Sequence, residues 1–322
     1  MAWLGRKKLA FIPLSRTNAQ PPDVIPTDWA DQIMRRVFFD PSSGVDRSLR
    51  AYIRTVSSGL ADLDLVVQDP QTIAGQDIAP DALESTMGDK LRAQGFDGAA
   101  IVMLGGPGGG QTGGYWSRFC MSDNLGNWVG ELAHQTGLCN IPDLFDFTDV
   151  YPDENMLGFD EEAGYLATHF SGWTKRAIGW LDPSTIPLHT PGQAGVYTLH
   201  SISLTQPPPT GRIAALQIGK QVPYLMVEAR LRADQFDVNI PSAGVIVYQV
   251  QTSDPLGNAQ NKIPPLNLLT KTALTVGQSF AAGNGVTVQV NSSVPGGFSI
   301  GVFPTPYSNP LSDMSYLVPL LL

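Results

Sequence analysis

The sequence predicts an α/β unit followed by an all-β sandwich, and three observations carry that prediction. Apolar runs of strand length alternate with helical spacing through the first half. Short β-rich runs separated by turn clusters fill the chain after about Thr190. The 33 glycines and 26 prolines supply more turn formers than a helical bundle tolerates. Of the 322 residues, 43% are hydrophobic and 15% charged, so the chain can bury a large core and is excluded from the disordered class. Two units, residues 1–188 and 189–322, fit that length.

Residues 9–14 read as a buried strand, and Trp29 to Phe39 carries Trp29, Ile33 and Val37 at helical spacing before a turn at 40–44. Ser48 to Val56 reads as an amphipathic helix through Leu49, Tyr52, Ile53 and Val56, stopped by Ser57-Ser58-Gly59 and followed by a strand at Leu63 to Val67. Ala82 to Ala93 reads as a further helix ending near Gly95. Ala99 to Leu104 is the continuous apolar run of a strand covered on both faces. In the second half the expected strands are Gly195 to Leu199, Ala214 to Ile218, Tyr224 to Ala229, Gly244 to Val250, Gly285 to Val290 and Phe298 to Val302, in a mostly antiparallel arrangement.

The formal charge of −9, from 20 basic and 29 acidic residues, repels phosphate backbones and excludes nucleic acid as an expected partner. No apolar run reaches the ~18 to 20 residues of a spanning helix, so no membrane span is expected. Arg6-Lys7-Lys8 with Leu9 to Ile12 imitates an export signal, but the apolar part is short and Pro13 interrupts it, so the segment reads as the first strand. Cys120 and Cys139 read either as a disulfide or as two buried thiols.

Gly105 to Gly110 follows a strand, yet no Lys-Ser/Thr closes it as a phosphate cradle would require, and it reads as a surface crossing. The stretch Trp128 to Leu138 carries more chemistry. It reads as a helix with Val129, Leu132, Ala133 and Thr136 toward a core, and Glu131 near His134, since residues three apart share a face.

Gly130-Glu131-Leu132-Ala133-His134-Gln135-Thr136-Gly137 resembles the zinc helix His-Glu-x-x-His-x-x-Gly of the immune inhibitor A-like (M6) metallopeptidases, members of the zincin group. Two imidazoles one helical turn apart bind zinc in that motif, and the intervening Glu is the general base. Glu131, His134 and Gly137 stand at matching places, whereas the first histidine is replaced by Gly130. The resemblance places the third ligand at Asn140, or, with Cys139 to Ile141 inserted, at Asp143 in Pro142-Asp143-Leu144-Phe145-Asp146. Arg50 to Gly59, Tyr115-Trp116-Ser117, the run His169 to Leu181 and the strands Tyr224 to Arg230 and Gly244 to Val250 are similar to further segments of the family, in order, from about Lys8 to Val302. Asn155-Met156-Leu157-Gly158 resembles the methionine turn beneath the metal, although Met156 also reads as ordinary core.

The resemblance implies a zincin-like metallopeptidase unit followed by a β-sandwich. With one imidazole missing, the zinc site reads as degenerate and the chain as a non-catalytic relative that binds a protein or peptide or serves assembly. The alternative is an active zinc endopeptidase with a rearranged ligand set, His134 with Asp143 or His169, and Glu131 as base. His169, His189 and His200 otherwise read as structural. Asp146, Asp149, Asp153, Asp160, Glu161 and Glu162 form an acidic stretch that reads either as a calcium site or as a solvated loop. The family is typically secreted, yet the resemblance begins almost at Met1, where no room is expected for its export signal and pro-segment.

Overall fold

The computed structural model describes residues 3–17, 25–39, 44–73, 87–104, 110–135, 138–139, 156, 158–161, 166–252, 265–282 and 285–305. The chain is mixed α/β, with several sheets and few helices. Strand β1 (Gly5–Arg16) is the first element, as its Leu9-to-Leu14 core requires. It pairs in parallel with β2 (Ala61–Val67), and beyond the break at Pro70 with the short β3 (Gln71–Ile73). On its other side β1 pairs in parallel with β4 (Gly98–Met103), whose six residues are all buried, as expected for a strand covered on both faces. The sheet is completed by β5 (Gln111–Gly113), antiparallel to β6 (Trp116–Cys120), which is parallel to β4, so β5 forms the outer edge.

Helices α1 (Trp29–Phe38) and α2 (Leu49–Val56) lie on one face of this sheet. Ser48 caps α2 by accepting from Ala51 N, and the helix buries Leu49, Tyr52, Ile53 and Val56, each worth about 1.5–3 kcal/mol of transfer free energy. It stops where Gly59, at φ +80°, sends its N–H back to Arg54 O. Helix α3 (Asp89–Ala93) serves the opposite face through Leu91. The expected helix from Ala82 is described only from its later part, since 82–86 lie outside the described residues. Arg6, Lys7 and Lys8 belong to β1 rather than to a free terminus. Lys7 reaches Asp97 at 3.5 Å, and Lys8 N donates to the same carboxylate at 2.8 Å.

The second half packs two sheets. One orders β7 (Leu188–His189), β9 (Ala215–Ile218), β10 (Tyr224–Arg230), β11 (Gly244–Val250) and β12 (Leu266–Leu268). The other orders β8 (Gly195–His200), β15 (Gly297–Pro304), β14 (Val286–Val294) and β13 (Ser279–Ala282). All pairings are antiparallel except β7 with β9. Every residue of β10 is buried, which the two-residue period of a strand explains. Leu225, Val227 and Ala229 fill the core between the sheets. Tyr224 and Met226 face the other way, onto a core shared with Phe159 and with Trp173 of helix α5 (Gly172–Ala177). The five-stranded sheet is thus a central layer, and the outer face of β10 joins the two halves.

Cys120 and Cys139 are buried as thiols in clusters on opposite faces of the first sheet, and are not bonded to each other. Among the described residues, no helix is long and apolar enough to cross a membrane.

Candidate functional site

Helix α4 (Leu125–Ala133) carries the metallopeptidase-like segment. Asn124 caps it by accepting from Asn127 N at 2.9 Å. Trp128 stacks on Phe119 at 4.2 Å between ring centroids, lies 6.0 Å from Phe11, and donates its indole N–H to Cys120 O. The helix is shorter at its end than the spacing suggests. It stops at Ala133, His134 is its C-cap, and Leu138 closes a separate turn onto Gln135 O. The physical reason is Gln135, which leaves the helix and donates Nε2 to Ala99 O at 2.9 Å and Ser117 Oγ at 2.7 Å. A Cβ on Gly98 would stand 2.2 Å from its Oε1, so any side chain there would displace the Gln135 amide from this position.

Glu131 is 8% exposed, and its carboxylate faces the edge strand. Thr112 Oγ1 on β5 lies 2.5 Å from Glu131 Oε2 and 2.7 Å from Glu131 O, while Ser117 Oγ on β6 lies 2.6 Å from the same carbonyl. One consistent assignment satisfies each donor. Gln135 donates to Ser117 Oγ, Ser117 donates to Glu131 O, and the single Thr112 proton goes to the carboxylate, its strongest acceptor. Glu131 Oε1 occupies the space beside Gly110, where a Cβ would stand 2.1 Å from it. The carboxylate is therefore a strut between α4 and the sheet edge.

His134 is half-buried, and its backbone N–H returns to Gly130 O at 3.2 Å. One turn before it Gly130 supplies no donor atom, so the helix does not offer the pair of imidazoles that zinc takes in this motif. Among the described residues, no three His, Cys, Asp or Glu side chains converge as a metal-holding group. Gly137, Asn140 and Asp143 lie outside the described residues, as do Asp146, Asp149, Asp153 and Glu162. Met156 is buried with Phe159, Trp173, Tyr224 and Met226, in a different cluster from α4.

A second polar constellation lies where the halves join. His169 is fully buried and held on both ring nitrogens, Nε2 at 2.7 Å from Asp234 Oδ2 and Nδ1 at 2.9 Å from Lys175 Nζ. The Asp234 carboxylate can only accept, so Nε2–H donates to it, and in the neutral ring Nδ1 accepts from Lys175. With both ring nitrogens engaged by protein groups, His169 is hydrogen-bonded as its structural reading expects. Burial, and then Lys175, hold the His169 pKa below the ordinary range; burial pushes Asp234 up, but His169 and the backbone N–H groups of Asp237 and Phe236 together leave it lowered. Arg230 binds both oxygens of Asp237 at 2.9 and 3.1 Å, approaches Glu228 at 3.5 Å, and also donates to His169 O and Phe159 O. Burial pushes Asp237 up, but the Arg230 charge, together with His169 and the Ser203 hydrogen bond, outweighs it and holds the carboxyl far below its usual value. Glu228 accepts from Gly172 N and Tyr248 Oη, and burial raises its pKa.

Asp160 and Glu161 are fully buried, which corrects the solvated-loop reading for these two. Asp160 accepts from Ser171 N and Thr174 Oγ1, and Glu161 from Thr168 N. Burial drives the Glu161 carboxyl well above its usual range.

Lys175 donates to Ile202 O at 2.8 Å besides His169, and burial lowers its pKa to about 8. It lines a cavity of about 240 Å³ with Trp180, His200, Ile202, Leu204 and Pro207. The sequence reading did not single out Lys175, Asp234 or Asp237. A signal existed in β10, where Glu228 and Arg230 stand two apart on one face of an otherwise apolar strand. Compared with protein-family models and with curated proteins, the chain matches none.

Proposed function

We propose that this chain is a metallopeptidase-like protein of the immune inhibitor A (M6) type, in the zincin group, whose zinc site is degenerate and which binds a protein or peptide or serves assembly instead of cleaving peptide bonds. The observation that carries this reading is the state of Glu131. A general base must reach its proton donor at about 2.6–3.2 Å, directly or through one water. The Glu131 carboxylate is instead spent on Thr112 and seated against Gly110. Beside it Gly130 removes one of the three protein ligands that catalytic zinc normally uses, which supports the degenerate reading. Without a metal to lower its pKa toward ~7, a water at this helix is a poor nucleophile.

The test is cleavage of unfolded casein by the purified chain with added zinc, beside its Glu131→Gln variant. The expected outcome is equal, background-level cleavage by both. Cleavage by the parent chain that Glu131→Gln abolishes would overturn the reading in favour of an active endopeptidase with a rearranged ligand set.

A further inference from the structure

Lys175 is a buried amine with an oriented base. Its Nζ lies 2.9 Å from His169 Nδ1, whose opposite nitrogen is fixed by Asp234 at 2.7 Å. A nucleophile, a base in hydrogen-bond reach and a third group orienting that base are the parts from which activated nucleophiles are built. Nζ has three tetrahedral directions besides its carbon. Two are spent on His169 Nδ1 and Ile202 O, so in the neutral amine the third carries the lone pair. Lys175 and Ile202 both line the cavity of about 240 Å³, whose other walls include Trp180, Leu204 and Pro207. Burial keeps His200, a further lining residue, below its ordinary pKa, with Nε2 at 3.2 Å from Gln206 O. The walls therefore favour a neutral, apolar ligand over a carboxylate.

We infer that Lys175, with His169 as base and Asp234 as its orienting group, forms a reactive-amine site that condenses with a small apolar aldehyde held in this cavity. The step balances without an outside oxidant or reductant. Nζ attacks the carbonyl carbon, forming the C–N bond while the C=O π pair moves to oxygen. The proton lost from nitrogen passes to His169 Nδ1. The carbinolamine oxygen takes up protons and leaves as water, and the nitrogen lone pair closes the C=N bond. The lowered pKa of Lys175, set by burial and the Arg230 charge against the opposing charges of Asp237, Asp234 and Glu228, leaves part of the amine neutral near pH 8.

The experiment incubates the full chain with hexanal and cyanoborohydride at pH 8 and maps the reduced adducts by mass spectrometry. The expected result is labelling at Lys175 about tenfold or more faster than at the exposed Lys90, Lys220 and Lys271. His169→Asn is expected to slow Lys175 labelling by about a hundredfold, the low end of a general base's contribution, with the circular dichroism spectrum unchanged. Should that variant fail to fold, Leu204→Trp, which fills the cavity from its wall, must slow Lys175 labelling while sparing the surface lysines. Labelling of the surface lysines with Lys175 unmodified, or Lys175 labelling indifferent to Leu204→Trp in the folded chain, overturns the inference.

Discussion

If Glu131 is a strut, its carboxylate must be energetically coupled to Thr112, and the coupling is measurable. The pair meets at 2.5 Å, with Glu131 buried and Thr112 half-buried at the sheet edge. A hydrogen bond to a charged group contributes about 1.5–3 kcal/mol, and partial exposure of Thr112 places this one near the lower end. Thr112→Val removes the hydroxyl at nearly constant shape and is expected to lower the unfolding free energy in urea by about 1–2 kcal/mol. Glu131→Met alone has an uncertain sign, because it removes the desolvation cost of a buried charge along with the bond. The double variant isolates the interaction. In Glu131→Met the Thr112 proton is free to turn to Glu131 O, so the measured coupling of about 1 kcal/mol or more is a lower bound on the carboxylate bond. Additivity of the two substitutions within about 0.4 kcal/mol, the range for independent sites, would refute the strut.

Two further predictions concern the junction. Arg230→Met leaves Asp237 and Glu228 buried without their cation and is expected to cost about 3–5 kcal/mol in equilibrium unfolding, with part of the loss restored by adding Asp237→Leu; a loss under about 1 kcal/mol would contradict the ion network. Lys175 has its pKa lowered in the folded state, from 10.5 to about 8, so between those values the unfolded chain binds more protons and stability rises with pH. This rise, on the order of 3 kcal/mol for the isolated group, should appear between pH 8 and 10.5 in urea titrations and be absent in Lys175→Met. An identical pH profile in the variant would contradict it.

Elements with a strong local pattern were legible in the sequence. The apolar run Ala99 to Leu104 announces β4, where burial on both faces leaves no polar position to blur the pattern, and Gly244 to Val250 coincides with β11, whose one partly buried position is Gln249. Strand β5 was not legible, since three residues beside a glycine tract show no period, and its place is set by pairing with β6. The early end of α4 was hidden because Leu132 and Thr136 keep helical spacing, while the buried polar partner that draws Gln135 away, Ala99 O, is 36 residues distant. Distance also hid the junction network. The Arg230–Asp237 pair spans seven residues, but Lys175 and His169 meet β10 and its flanking turn only through the tertiary fold. At the candidate site, residue identity made the missing imidazole at Gly130 visible, whereas the engagement of Glu131 by Thr112 depends on the placement of an edge strand.

Elemental analysis of the chain purified without chelator tests most directly whether helix α4 is degenerate as a zinc helix. The prediction is zinc far below one equivalent per chain, unchanged by His134→Ala. One equivalent of zinc that survives gel filtration and is lost in His134→Ala would contradict it.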